Sequence, residues 1–360
     1  MKCIKCQNDS KYSDRSSGTC PSCHAKFAFE PKNGDLFTDM AFAAAIDRVS
    51  AHDAVRFTEG NLFYELARIR RRANASKVVG LVLSVVLTIV ASVVSCAVLE
   101  SGFPLFVTLP LGLTIFFVVL LKKENPTLAF TPSEFQTALH KWRSAHGNPA
   151  KLIQRTAPKQ PTKGAKALPR ELATYSFDRA VICDRPETVD LLLANNFHFE
   201  NNCAILSVTH YPEAVFAPVL DMLRRNPRLE VYALHDATGP GHNLARYLTT
   251  SPEWFRGIGR VTDVGLLVRH AMKMRGLWKG AHPMQGVSSF PDLSAAENAW
   301  LSNYSVELAS IRPEQIIKRL FRAMTQPGTP VTIDDGGMYF VGGSFGSDAG
   351  TSDGGGDSFG

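Results

Sequence analysis

Hydrophobic positions are spread unevenly along the chain, and their period changes from segment to segment. The first 30 residues are polar and cysteine-rich, with no sustained apolar run. From Asp35 to Arg72 apolar residues recur at helical spacing and predict two helices. One carries Leu36, Met40, Ala43 or Ala44, and Val49; the other, opened by Thr58, carries Leu62, Phe63, Leu66 and Ile69. Val78 to Leu99 then gives about 22 residues without a charge, Glu100 to Pro104 makes a turn, and Leu105 to Leu121 adds about 17 apolar residues. A hydrocarbon core of about 30 Å needs about 20 residues of helix, so the pattern predicts a two-helix transmembrane hairpin over residues 78–121. Pro110 is tolerable in the second span where neighbours satisfy the freed carbonyl.

Thr131-Pro-Ser-Glu134 opens an amphipathic helix through Phe135, Leu139 and Trp142 that ends near Gly147. Arg155 to Arg170, rich in Pro, Lys and Thr, reads as a basic, flexible tether. From about Tyr175 short apolar runs alternate with helical periods. Strands are predicted at 179–183, 203–208, 229–234 and, more weakly, 260–264, each followed by a helix. Such alternation implies a mostly parallel sheet with right-handed crossovers, a Rossmann-like α/β domain. Residues 336–360 are Gly, Ser and Asp with isolated Phe345 and Phe359, and predict a disordered tail. The chain thus divides into 1–30, a small helical segment 31–77, the hairpin 78–121, a helix and linker 122–172, the α/β domain 173–330 and the tail.

Charge gives the hairpin an orientation. The formal net charge is +6, and its positive residues crowd the hairpin's flanks. Arg68, Arg70, Arg71, Arg72 and Lys77 precede the first span, Lys122 and Lys123 follow the second, and the loop between carries only Glu100. The positive-inside rule then puts both termini in the cytoplasm, as in an inner-membrane protein without a cleaved signal peptide. Such flanks name the lipid bilayer as a partner ahead of nucleic acid, which stays open. Neither span holds an ionisable residue other than Cys96, so an anchor is expected; a small oligomeric pore is the alternative.

Four of the seven cysteines form Cys3-Ile-Lys-Cys6 and Cys20-Pro-Ser-Cys23, with 13 residues between the pairs. Two residues between thiolates let a tight turn aim both sulfurs at one ion, and two such turns complete a tetrahedron. The segment between is too polar to fold alone, so a structural zinc ribbon is predicted, its metal supplying most of the folding free energy.

The early strands end in residues with chemistry: Asp184 and Glu187 after the first, Thr209 and His210 after the second, His235 and Asp236 after the third. Asp236 then runs through Thr238, Gly239 and Gly241 into a helix. Ligands of open α/β sheets sit at the carboxyl ends of the strands, so His210, His235, Thr238, Gly239 and Gly241 are candidate ligand-binding residues. Ala180 to Leu193 together with Leu234 to Ala245 resembles the toprim fold of primases and topoisomerases. That resemblance implies magnesium held by acids after the first and third strands: Asp184, with Glu187 near it, and Asp236. Thr238 stands where the family has a second Asp, which weakens a magnesium site by one hard ligand. Val306 to Pro313 is similar to the family's closing strand-Pro-helix element, with Glu307 as an extra acid.

The leading expectation is a membrane-anchored sensor or scaffold that binds a protein or nucleotide ligand, with catalysis lost. The competing expectation is a magnesium-dependent enzyme acting on phosphodiesters through Asp184, Glu187 and Asp236.

Overall fold

A computed structural model describes residues 1–15, 17–72, 87, 90, 126–154, 177–257, 260–280 and 289–325. The predicted spans within 78–121 lie outside the described residues except for Leu87 and Val90, which are helical and exposed. Among the described residues no helix is long and apolar enough to cross a membrane. The basic tether and the tail also lie outside the described residues.

Helix α1 spans Asp39–Val49 and α2 spans residues 59–72. Thr58 opens α2 as predicted, its hydroxyl accepting from the Asn61 N–H at 3.3 Å. The buried stripe of α1 is Phe42, Ala45 and Val49; of the predicted face only Val49 is buried, while Leu36, Met40, Ala43 and Ala44 are half-exposed. Large aromatic partners decide the buried face: Phe42 stacks on Trp142 at 4.7 Å and lies 5.3 Å from Phe29. Trp142 belongs to α3, Pro132–His146, which has the full Thr131/Glu134 capping box and stops at Gly147. This helix follows residues 78–121 in sequence, yet it packs into the N-terminal core with Phe37, Phe57, Phe63 and Phe130. The predicted linker segment is therefore part of the first core.

The second unit is built on strands β1 Arg179–Cys183, β2 Cys203–Ser207, β3 Glu230–Leu234 and β4 Arg260–Asp263. All pair in parallel, in the order β2-β1-β3-β4. Both faces are covered. Val181 and Cys183 face one cluster with Val189 and Leu192, while Ala180 and Ile182 face another with Phe216, Leu220 and Leu223. Burial on both faces is why β1, β2 and β3 read as apolar runs, whereas β4, with no buried residue, does not. Helix α4, Pro186–Ala194, follows β1, and α5, Phe197–Glu200, extends it. Helix α6, Phe216–Arg224, follows β2; α7, Gly239–His242, and α8, Leu244–Thr250, follow β3. Helix α9 after β4 is a single turn, Val268–Ala271.

The closing element differs from the sequence expectation. Val306 does not extend the parallel sheet; it makes an isolated antiparallel bridge with Ala237. Next to it β5, Lys279–Gly280, pairs with β6, Tyr304–Ser305, and α10 and α11 span Ala295–Asn303 and Pro313–Thr325. The bridge fixes Glu307 beside Asp236.

The two units touch along α2. Asn61 Nδ2 donates to Ala309 O at 3.0 Å and to Ile311 O at 3.2 Å, and Arg68 reaches Ser310 O. Glu65, one per cent exposed, is gripped by Arg312 at 2.9 Å and Arg68 at 3.0 Å. A Cβ on Gly60 would stand 3.1 Å from Ala309 Cβ, so the helix approaches the second unit through a residue without a side chain.

Candidate functional site

Two sites emerge, one metal-like and one a cleft. In the first, the ligand atoms of Cys3, Cys6, Cys20 and Cys23 all lie within 4.8 Å of one another. Cys3 and Cys23 sulfurs are 3.7 Å apart, and Cys6 and Cys20 sulfurs 3.6 Å. A zinc–sulfur bond of about 2.3 Å requires tetrahedral edges of about 3.8 Å, which these two sulfur pairs match. Two matching turns build it: Gln7 N–H donates to Cys3 O and His24 N–H to Cys20 O, each at 2.9 Å. Gln7 and His24 both take positive φ, 60° and 56°, which turns the chain back under its sulfurs. His24 is thus a turn residue outside the four-thiolate group.

Backbone N–H groups of Cys23 and Ser22 help hold the Cys20 thiol down at about 6, favouring the thiolate that a metal needs. At Cys23 the Ala25 N–H pulls the thiol down, but its sulfur neighbours and burial push it up to about 12. Sulfurs this close contend for protons, and a divalent cation removes that conflict. Four thiolates would leave a bound ion no open position for a substrate. It is welded to the first core by Asp39, fully buried, whose carboxylate accepts from Ala28 N and Phe29 N at 3.0 Å and contacts His146 Nε2 at 2.7 Å.

The second site lies at the carboxyl ends of β1 and β3. The strand order reverses between these two strands, which is where open α/β sheets form their ligand crevice. Asp184 ends β1, and its Oδ2 accepts from Asp236 N at 2.7 Å. Asp236 Oδ1 accepts from Leu308 N at 2.6 Å, and its other oxygen is paired with Arg185 Nε. Arg185 Nη1 reaches on to Glu307 at 3.3 Å, and Lys279 Nζ holds Glu307 at 2.8 Å. These groups border a cavity of about 180 Å³ lined by Arg185, Glu187, Thr188, Asp236 and Glu307 on one side. Thr58, Gly60 and Asn61, at the start of α2, close the other side.

The acids are not at rest. Burial pushes Asp236 up to about 7, Asp184 adds repulsion, and Arg185 opposes both only in part. Asp184 is raised too, chiefly by burial, and its Oδ1 has no hydrogen-bond partner. Tyr64, also buried, lies against Glu307, and its phenol is pushed well up by burial and by Glu307 and Asp236. Perturbed carboxyls in a cleft are characteristic of functional sites.

Of the acids singled out from sequence, Glu187, Asp236 and Glu307 line the cavity and Asp184 backs it. The remaining candidates have other roles. His235 is one per cent exposed, with Nδ1 on Asp236 O at 2.7 Å and Nε2 on Asp263 at 3.0 Å. Both partners accept, so both ring nitrogens carry protons and His235 is a buried imidazolium joining the ends of β3 and β4. Gly265 must be glycine beneath it, since a Cβ would fall 2.2 Å from the ring. His210 is exposed and stacks on Phe216 at 4.7 Å, against the opposite face of the sheet. Thr238 caps α7 by accepting from Gly241 N at 3.1 Å; Gly239 and Gly241 are buried in that turn, and a Cβ on Gly241 would strike Asp236 O. His210, His235, Thr238, Gly239 and Gly241 do not line the cavity.

Arg185, Lys279 and Asn61 were not singled out from sequence, and Thr58 was read only as a helix cap. Arg185 had a local signal, a cation directly after a strand-end acid; the others meet the cleft only through tertiary packing. Among the described residues the four cysteines are the sole set of three or more potential metal ligands that converge. Asp184, Glu187 and Asp236 do not converge in this way, and the Arg185 guanidinium already contacts Asp236 and Glu307. No protein-family model, no curated protein and no solved structure matches the chain.

Proposed function

We propose that the chain is a membrane-anchored binding protein that senses a small ligand in the cleft between its two units. One observation carries the reading: α2 lines the cleft with its first turn and leads, about 20 Å further on, toward the apolar run of residues 78–121. A ligand bound against Thr58 and Asn61 therefore presses on the helix that continues toward the bilayer. Zinc in the ribbon is structural in this reading, and both termini face the cytoplasm. A cavity of about 180 Å³ suits a small molecule or part of a nucleotide better than a protein chain.

The toprim-like, magnesium-dependent phosphodiester reading is the second one. It is favoured by the adjacency of Asp184 and Asp236 at neighbouring strand ends. It is opposed by Arg185, whose guanidinium already occupies the Asp236 oxygen that a cation would take. No feature of the described residues favours the pore.

The test uses the full chain, metal-loaded, in detergent or nanodiscs. Native mass spectrometry against nucleotides and small phosphorylated metabolites, with magnesium, reads both binding and turnover. A ligand held unchanged by the parent protein and lost in Arg185→Gln supports the sensor. Phosphodiester cleavage that needs Asp236 transfers the case to the enzyme. Absence of any bound ligand in the folded protein sinks the ligand-sensing reading and leaves an anchor.

A further inference from the structure

Arg72 and Pro126 stand on either side of the predicted hairpin, and the chain near both is fastened to one loop of the α/β domain. The Arg71 guanidinium donates to Arg275 O. Its side chain lies on Gly276 so closely that a Cβ there would be 2.6 Å from Arg71 Cδ. Gly276, with φ 82°, donates its N–H to Pro126 O at 2.7 Å. Trp278 N–H also donates to Pro126 O, at 3.3 Å, and Leu128 N–H returns a bond to Trp278 O at 3.1 Å. Three segments distant in sequence therefore meet in one knot.

The knot has one sign of charge. Residues 66–72, 126–128 and 272–278 contain Arg68, Arg70, Arg71, Arg72, Lys273 and Arg275, and no Asp or Glu. Arg68 is turned inward to Glu65 and Arg70 to Leu36 O, while Arg72, Lys273 and Arg275 are exposed. The outward surface is thus cationic, formed by a loop of the α/β domain together with the end of α2.

We propose that this face, centred on the Lys273-Met-Arg-Gly276 loop, rests on anionic lipid headgroups and holds the α/β domain against the bilayer. The proposal rests on the hairpin reading and adds to it a second, non-covalent attachment. Its geometry follows from chain length. The links from Arg72 to Val78 and from Leu121 to Pro126 extend at most about 20 Å, so a bilayer holding residues 78–121 lies within that distance of the face. Basic side chains so close to an anionic leaflet are attracted at about 1 kcal/mol each, and the knot supplies them already ordered. Nucleic acid would meet the same charges, but nothing would bring it to this side of the fold in preference to another.

The test reconstitutes the full metal-loaded chain into vesicles of phosphatidylcholine alone or with about one-third phosphatidylglycerol. Lysine acylation by a membrane-impermeant reagent is followed by mass spectrometry, with exposed Lys32 on the ribbon as internal reference. The expected result is a protein that resists alkaline washing in both vesicles, with Lys273 acylated about fivefold more slowly in the anionic ones. High salt and the variant Arg275→Gln should each shrink that difference. Equal labelling of a firmly embedded protein overturns the docking face and leaves the hairpin standing. Loss of the protein from both vesicles on washing removes the hairpin reading and the docking face with it. Protection of Lys273 by a duplex oligonucleotide as strong as that by anionic vesicles assigns the face to nucleic acid instead.

Discussion

Glu65 and Asp236 are each one per cent exposed, yet they are held in opposite electrostatic states. Glu65 sits in the seam between the units with two arginines on it. Burial pushes it up, but Arg312 and Arg68 outweigh that and leave it below the usual carboxylate range. Asp236 sits in the cleft, shares its one arginine with Glu307, faces Asp184, and rises to about 7. Burial costs the charged form in both cases, and the number and ownership of the cations decide the outcome. The balanced acid joins two units. The unbalanced acid stores repulsion in a cavity, as protein sites do when binding takes precedence over stability.

The largest expected effect breaks the frame that carries both acids. Removing the metal with a strong chelator, or Cys20→Ser, should unfold the ribbon, with a loss on the order of 10 kcal/mol of binding-linked stability. Phe29 would leave its place beside Phe42 and Trp142, so a change in tryptophan emission tracking metal release is the readout. An emission spectrum indifferent to chelation would mean that the aromatic core stands without the ribbon.

Next comes the seam itself. Glu65→Ala leaves the half-buried Arg68 and Arg312 without their carboxylate and should cost about 3 kcal/mol. Because Glu65 lies low in the fold, its contribution is present above the unfolded carboxyl value and is lost as pH falls through the folded one. Denaturant unfolding of the variant should also split into two transitions as the units uncouple, and a single transition at parent stability would refute the seam.

His235→Gln should cost about 2–3 kcal/mol, since one of two hydrogen bonds and the ion pair with Asp263 are lost. Burial draws His235 down, but Asp263 outweighs it and holds the imidazole above its ordinary value. Its contribution is therefore complete below the unfolded histidine value and disappears as pH rises through the folded one. Calorimetry across pH should show the variant and parent converging in alkali; a gap that widens there would contradict a charged His235.

The smallest effect has the opposite sign. The folded Asp236 carboxyl holds its proton up to about 7, so its contribution falls as pH climbs from the unfolded value of 3.8 to about 7. Asp236→Asn removes that repulsion while keeping an acceptor for Leu308 N–H. It should gain about 1–2 kcal/mol at pH 8 and flatten the decline between pH 4 and 7, while losing ligand. Thermal melts across pH decide it, and a destabilised Asn variant at pH 8 would place Asp236 with Glu65 among the balanced acids.

The chain's pattern by itself determined much. Strand ends at Cys183 and Leu234, the α3 capping box, the Thr58 cap and the four-cysteine cage follow from local spacing and period, which do not depend on the rest of the fold. Short-range physics also placed chemistry at the carboxyl edge, since strands end in polar residues at predictable positions. Tertiary structure decided which of those residues matter. The strand order puts Asp184 beside Asp236 and turns His210 to the other face. The Ala237–Val306 bridge delivers Glu307, and α2 closes the cleft with Thr58 and Asn61. It also set the α1 stripe through Trp142 and joined Arg71, Pro126 and Gly276 in one knot. Each of these depends on contacts between residues tens to hundreds of positions apart, and a one-dimensional pattern carries no record of such pairings.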